Sequence, residues 1–420
     1  MAIEPPSSII SMPFKDRIRL SLMMFLNYAI WGCWYVTLGA YLTLHLKFSG
    51  IQAGMVFGTT AVACMTSPFF VGLVADRFFA SEYVLAVLHL LGAILLFILT
   101  KVTGFGAVYG VMLAYGLCYF PTIAVTNSLT LQHLKNPARD FPLIRVFGTL
   151  GWIAIGVTLG RLGIETSPSS FLLAAAASLT MAVFSLTLPH TPPPSKGASI
   201  SVRQILGLDA LVMFKRRSFA VFGLASVLAC IPLTFYFSFT NAYLNGLHVP
   251  NAAGKMALGQ ASEVGMMLLM TFILGRLGVK SILMMGLAAW SVRYLLLGYG
   301  DPQGGLWMFY LAILLHGVCY DFFFVTGQLY TDQEAPAHLR SAAQGLITFL
   351  TYGLGMLIGS FLAGRAVDYY THTTGDTTNV NWQAFWYVPA FIAFFILLLI
   401  VAFFRSGVKI STAQSAADAR

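Results

Sequence analysis

The chain has 420 residues, is 58% hydrophobic and 9% charged, and has a mean hydropathy of +0.79. A soluble protein of this length covers its surface with far more charge, which excludes a soluble enzyme or binding module. The net charge of +9 falls in alternate loops rather than in one patch, so its partner is the anionic face of a bilayer and not a nucleic acid.

The opening segment MAIEPPSSIISMPFKDRIR is polar and rich in Pro and Ser, with its charges just ahead of the first apolar run. It reads as a retained tail, because that run is too long for the apolar region of a signal peptide. Apolar runs long enough to cross a bilayer as helices then recur. Twelve spans are predicted, at 18–45, 52–75, 82–101, 104–132, 141–162, 169–188, 218–245, 256–275, 280–299, 305–331, 341–369 and 384–405. The expected fold class is an all-α membrane protein of twelve transmembrane helices in two six-helix bundles.

The one clear break runs from Pro189 to Arg217. It opens with PHTPPPSKGAS and ends in Lys215-Arg216-Arg217. Residues 1–188 are therefore expected to form an N-terminal bundle with a short tail and 189–217 a cytoplasmic linker. A C-terminal bundle (218–406) and a short tail (407–420) follow. A weak internal repeat agrees: YGLCYF (Tyr115 to Phe120) on the fourth span matches HGVCYD (His316 to Asp321) on the tenth. Lys and Arg concentrate on the side of the linker and both tails, and only Lys47, Lys101, Arg161, Lys255 and Arg365 fall on the other. Both termini are thus expected in the cytoplasm of a multi-pass protein of the cell (inner) membrane.

Cys33, Cys64, Cys118, Cys230 and Cys319 all lie in apolar segments without metal-ligand spacing, and read as small buried hydrophobes. No metal and no cofactor are expected. The loops are short and carry no acidic metal motif or Ser/His pair, so a membrane enzyme is not expected either.

Arg145, Glu263, Arg293 and Asp321 stand in or against these apolar stretches. Charge at that depth is costly, faces a bundle interior or wet cavity, and marks a substrate or ion path. Gln260 and Glu263 are three apart and His316 and Tyr320 four apart, so each pair shares a helix face, with Asp321 beside the second. Arg145, Thr149 and Trp152 are spaced alike on the fifth span. Arg293 is expected to partner one of the carboxylates. His89, alone in its span, reads as structural.

Further segments carry a resemblance. Gly72-Leu-Val-Ala-Asp76-Arg77 resembles the G-x-x-x-D-R loop of the major facilitator superfamily. RDFPLIRVFGTLGW (139–152), LGLDAL (206–211), GQASE (259–263), YGD (299–301), YDFFF (320–324) and RSAAQGL (340–346) together resemble the nucleoside:proton symporter family within it. DFPxIRxxGTxGW is the most distinctive of these. The resemblance implies a proton-driven importer of nucleosides, expected to work as a monomer. Matched by position, its substrate site would be lined by Arg145, Thr149, Trp152, Thr234, Gln260, Glu263, His316, Tyr320 and Asp321. Two amide positions of the family's seventh span are Thr234 and Phe237 here, and a Tyr/Phe pair of the tenth is His316 and Tyr320, which leaves the preferred nucleoside open.

Such a site suits a nucleoside chemically. Ribose hydroxyls donate to carboxylates and accept from guanidinium or amide groups, and Trp152 or Tyr320 offers a ring to a base. Asp321 or Glu263 is the expected proton carrier, and Asp76 and Arg77 the expected gating pair. A sugar or polyol symporter on the same fold remains the alternative.

Overall fold

The computed structural model describes residues 12–71, 78–193, 207–374 and 377–405. The apolar runs become helices because hydrocarbon offers backbone amides and carbonyls no partner except one another. The first six are α1 (Phe14–His45), α2 (Gly50–Phe70), α3 (Ser81–Leu99), α4 (Phe105–Gln132), α5 (Pro137–Leu162) and α6 (Ser169–Ser185). After the linker come α7 (Arg217–Gly246) and one helical stretch, Ala252–Tyr299, bent at Gly278 (φ 72°, ψ 161°) into α8 (252–277) and α9 (279–299). The last three are α10 (Leu306–Glu334), α11 (Ala337–Tyr369) and α12 (Trp382–Phe403). A break between the eighth and ninth spans was expected at 276–279, and one glycine in the left-handed φ region makes it.

The helices that carry the site are not uniform. Wide, π-type turns interrupt α1 at Tyr41–His45, α10 at Asp321–Val325 and α11 at Phe349–Gly355. Such turns recur at functional sites. A two-stranded antiparallel hairpin, β1 (Thr371–Thr374) and β2 (Thr377–Val380), joins α11 to α12. Nothing in the apolar pattern of the sequence marks it.

Within the first half α1 packs on α5 and α6, and α3 on α4 and α6. Within the second, α7 packs on α11 and α12, and α10 and α12 on the α8–α9 stretch. The halves meet along α1–α7, α2–α11 and α5–α8. Small residues make the last two contacts close, as between membrane helices generally. A Cβ at Gly54 would collide with the Ser360 carbonyl, and one at Gly160 with the Asn251 side chain.

The α2–α11 and α5–α8 contacts tighten at the face away from the chain termini, here called the distal face. There each half caps a helix of the other with a carboxylate. Asp368, near the end of α11, accepts from the backbone N–H groups of Gly50 (2.5 Å) and Ile51 (2.9 Å) at the start of α2. Glu165, just past α5, accepts from the backbone N–H of Ala253 (2.9 Å) at the start of α8, and from the amides of Asn241 (2.7 Å) and Asn245 (3.1 Å) on α7. Negative charge at a helix N-terminus meets unpaired N–H groups and a favourable dipole.

At the opposite, terminal face, the linker ends are held to different halves. Glu82, at the start of α3, accepts from His190 Nδ1 (2.6 Å) and the Thr191 backbone N–H (3.0 Å). Gly207 has φ 65° and packs so closely on α11 that a Cβ would collide with the Ala342 carbonyl, which places residues 207–211 against RSAAQGL. Back at the distal face, the YGD segment ends α9, and Asp301 accepts from the N–H groups of Gly304 (2.8 Å) and Gln303 (2.8 Å). Those bonds hold its exposed carboxyl below the ordinary value. The expected gating residues Asp76 and Arg77 lie outside the described residues.

Candidate functional site

Four helices of the second half converge on His316. It sits on α10, fully buried, with its ring stacked on Tyr236 of α7 (centroids 5.5 Å apart, planes 21° apart) and edge-on to Phe237 (5.7 Å). Its Nδ1 lies 2.9 Å from Nη1 of Arg293 on α9, and its Nε2 3.8 Å from Oε2 of Glu263 on α8. Arg293 is itself fully buried, its guanidinium 3.6 Å from the Tyr236 ring centroid. The expected carboxylate partner for Arg293 is not there: among the described residues it forms no ion pair, and Nε and Nη2 have no hydrogen-bond partner. The reason is one of placement, since an imidazole stands between the guanidinium and Glu263.

Asp321 opens the wide turn of α10. It is fully buried, and neither carboxylate oxygen has a hydrogen-bond partner among the described residues. Such a group costs the desolvation of a charge without compensation, so its place needs an explanation other than stability. Glu263, about a quarter exposed (24%), lies within the electrostatic reach of both Asp321 and the Arg145 guanidinium. Glu263 thus lies near both other charges foreseen from the sequence, Arg145 of the first half and Asp321 of the second.

The first half contributes Arg145 and a run of rings. The Arg145 guanidinium lies 4.0 Å from the Tyr28 ring centroid. Trp31 meets Trp152 edge-on (5.2 Å), Tyr35 meets Trp31 (5.7 Å), and Tyr35 reaches across to Phe237 of α7 (5.6 Å). Phe237 in turn touches His316, so rings run unbroken from Arg145 to Glu263. Tyr28, Trp31 and Tyr35 were missed in the sequence, although their spacing puts them on one helix face. Tyr352 on α11, whose hydroxyl meets that of Tyr320, was missed as well. A hollow lined by Phe222, Ser226, Phe324, Gln328, Thr348 and Tyr352 lies on the terminal side of this layer. None of the residues foreseen from the sequence lines it.

Gln260 and Thr149 are half-buried on α8 and α5, and Trp152 is buried on α5. Thr234 stands apart. Its hydroxyl is 2.7 Å from the Cys230 carbonyl and 3.3 Å from the Met356 sulfur, between α7 and α11. His89 bonds Ser178 (3.3 Å) inside the first half, as a structural residue does.

Two helical halves around a buried ionisable cluster define a multi-pass membrane transporter of the major facilitator fold. More particularly, the chain belongs to the nucleoside H+ symporter family, whose family model matches residues 14–409. It is 40% identical over 406 residues to the putative nucleoside transporter YegT of Escherichia coli, covering 94% of this chain and 95% of that one. With the xanthosine permease of the same organism it shares 34% over 397 residues, covering 91% and 94%. The crystal structure of the nucleoside transporter NupG superposes with a TM-score of 0.86 at 31% identity, covering 94% of this chain and 100% of that one.

Proposed function

We propose that this protein imports nucleosides together with protons across the inner membrane by alternating access. Relatives named for nucleoside and xanthosine transport support the substrate class. The observation that carries the reading is Asp321: a buried carboxylate with no hydrogen-bond partner among the described residues, in the field of Glu263. Asp321 takes the proton, Glu263 and Arg145 meet the sugar and its neighbours, and the ring run from Tyr28 to Phe237 meets the base. Residues 1–188 and 218–406 rock about this layer as two bundles, with 189–217 as the tether. Both termini face the cytoplasm and the chain works as a monomer. In that orientation the distal contacts close the outer side, and the hollow beside Tyr352 belongs to the inward path. Substrate and proton drive the change only through their different affinities for the two states.

The test is uptake into proteoliposomes under an imposed pH gradient. Asp321→Asn is expected to abolish accumulation against a concentration gradient while exchange of labelled for unlabelled nucleoside persists. Glu263→Gln is expected to weaken both. Accumulation that survives in both variants would remove the proton from these residues.

A further inference from the structure

We propose that Arg293 is a positioning residue: it fixes His316 as an N–H donor, so that His316 Nε2–H and the Glu263 carboxylate together receive one sugar hydroxyl. Arg293 brings a guanidinium to this contact. It has five N–H donors and no acceptor. Arg293 Nη1 lies 2.9 Å from His316 Nδ1, so Nδ1 is the acceptor in that bond. A neutral imidazole carries one proton, which is then on Nε2.

The ring has no freedom to undo this. Tyr236 stacks on it, Phe237 stands at its edge, and Tyr320 lies 5.7 Å away on its own helix. On the α8 side a Cβ at Gly259 would come within 3.1 Å of the His316 Cβ, so only glycine leaves that helix at this distance without displacement. Arg293 is pinned as well, against the same Tyr236 ring.

Nε2–H therefore points toward Glu263, at 3.8 Å from Oε2. That is too long for a hydrogen bond between the two. It is the right size for a third atom that bonds both, with an angle of roughly 90° at that atom. The third atom must accept from N–H and donate to a carboxylate, and a hydroxyl does both while an amide, ketone or ammonium does not. Two hydroxyls stand side by side on a ribose. This assignment rests on the nucleoside reading above, yet its first half concerns only the protein.

The experiment has two readouts. The first is nitrogen NMR of protein labelled with 15N-histidine in lipid nanodiscs, with the His316 signals identified by their loss in His316→Gln. The expected result at neutral pH is a protonated Nε2 and a bare Nδ1. In Arg293→Met the expected result is a mixture of tautomers, and in Arg293→Lys, which keeps one donor, a partial return. A protonated Nδ1 in the unaltered protein overturns the proposal.

The second readout is the ratio of kcat/KM for uridine to that for its 2′-deoxy and 3′-deoxy analogues. Loss of a hydroxyl that satisfies two groups is expected to cost the unaltered protein about tenfold or more for one of the analogues. In Arg293→Met that ratio is expected to fall toward one and in Arg293→Lys to recover. A ratio within one variant does not depend on how much protein folds, so a merely structural Arg293 leaves it unchanged, and that result overturns the proposal. Absence of uridine uptake in the unaltered protein would count against the nucleoside reading, while the tautomer measurement still decides the role of Arg293.

Discussion

The distal face and the central layer both join the two halves, and both use buried or half-buried carboxylates, but they treat them in opposite ways. At the distal face Asp368 accepts two backbone N–H bonds and Glu165 accepts three hydrogen bonds, each across the boundary between halves. In the central layer Asp321 accepts none among the described residues, and Glu263 faces His316 across a gap. A carboxylate bonded across the boundary stabilises the arrangement that makes those bonds. One without partners destabilises the empty protein and leaves its whole bonding capacity for a ligand or a proton. The distal pair is therefore a clasp for one conformation and the central pair a receptor.

Variants can break or sharpen that contrast. The largest effect is expected at the centre. Arg145→Ala removes a charged donor facing the Glu263 side of the layer, and nucleoside affinity, measured by calorimetry in detergent, is expected to fall about 10- to 100-fold. A loss no greater than that of a lipid-facing variant such as Leu150→Ala would take Arg145 out of the site.

The clasp is expected to matter less to affinity and more to shape. Glu165→Gln with Asp368→Asn keeps both side-chain volumes and removes both charges, a change of about 0.3–1 kcal/mol at each helix terminus. Spin labels on the exposed distal residues Lys101 and Gln303, one in each half, are expected to show a longer distance population in the double variant. An unchanged distribution would mean that the small-residue contacts alone hold the face shut.

The smallest effect belongs to Asp301. Its low-lying carboxyl gives a contribution that is present above the ordinary carboxylate range and lost as pH falls through the folded-state value. Asp301→Ala is expected to leave uptake kinetics unchanged and to remove a small acid-side change in melting temperature. A clear rise in KM would instead connect this turn to the central layer.

What the sequence made legible follows from this contrast. Arg145, Glu263 and Asp321 were visible because a charge in an apolar run is conspicuous wherever the chain folds. Glu165 and Asp368 were invisible, because a loop carboxylate reads as solvated until a helix terminus from the other half is brought to it. Arg293 was seen as important but given the wrong partner, since charge alone favours a carboxylate and only the packing of α8, α9 and α10 puts His316 first. Thr234 matched a family position, yet its hydroxyl is satisfied by its own helix and by α11. The wide turns could not be read as such, because neither Asp321 nor the apolar residues around it signal an extra residue in the turn.

The wide turn beginning at Asp321 has one further consequence. A π-type turn holds one residue more than its neighbours, and that surplus can migrate along the helix if a turn elsewhere widens as this one narrows. Each residue of migration swivels the segment it passes by about 100° around the axis. Asp321 lies at the edge of the surplus, so its carboxylate can change azimuth while both ends of the span stay at their depths in the bilayer.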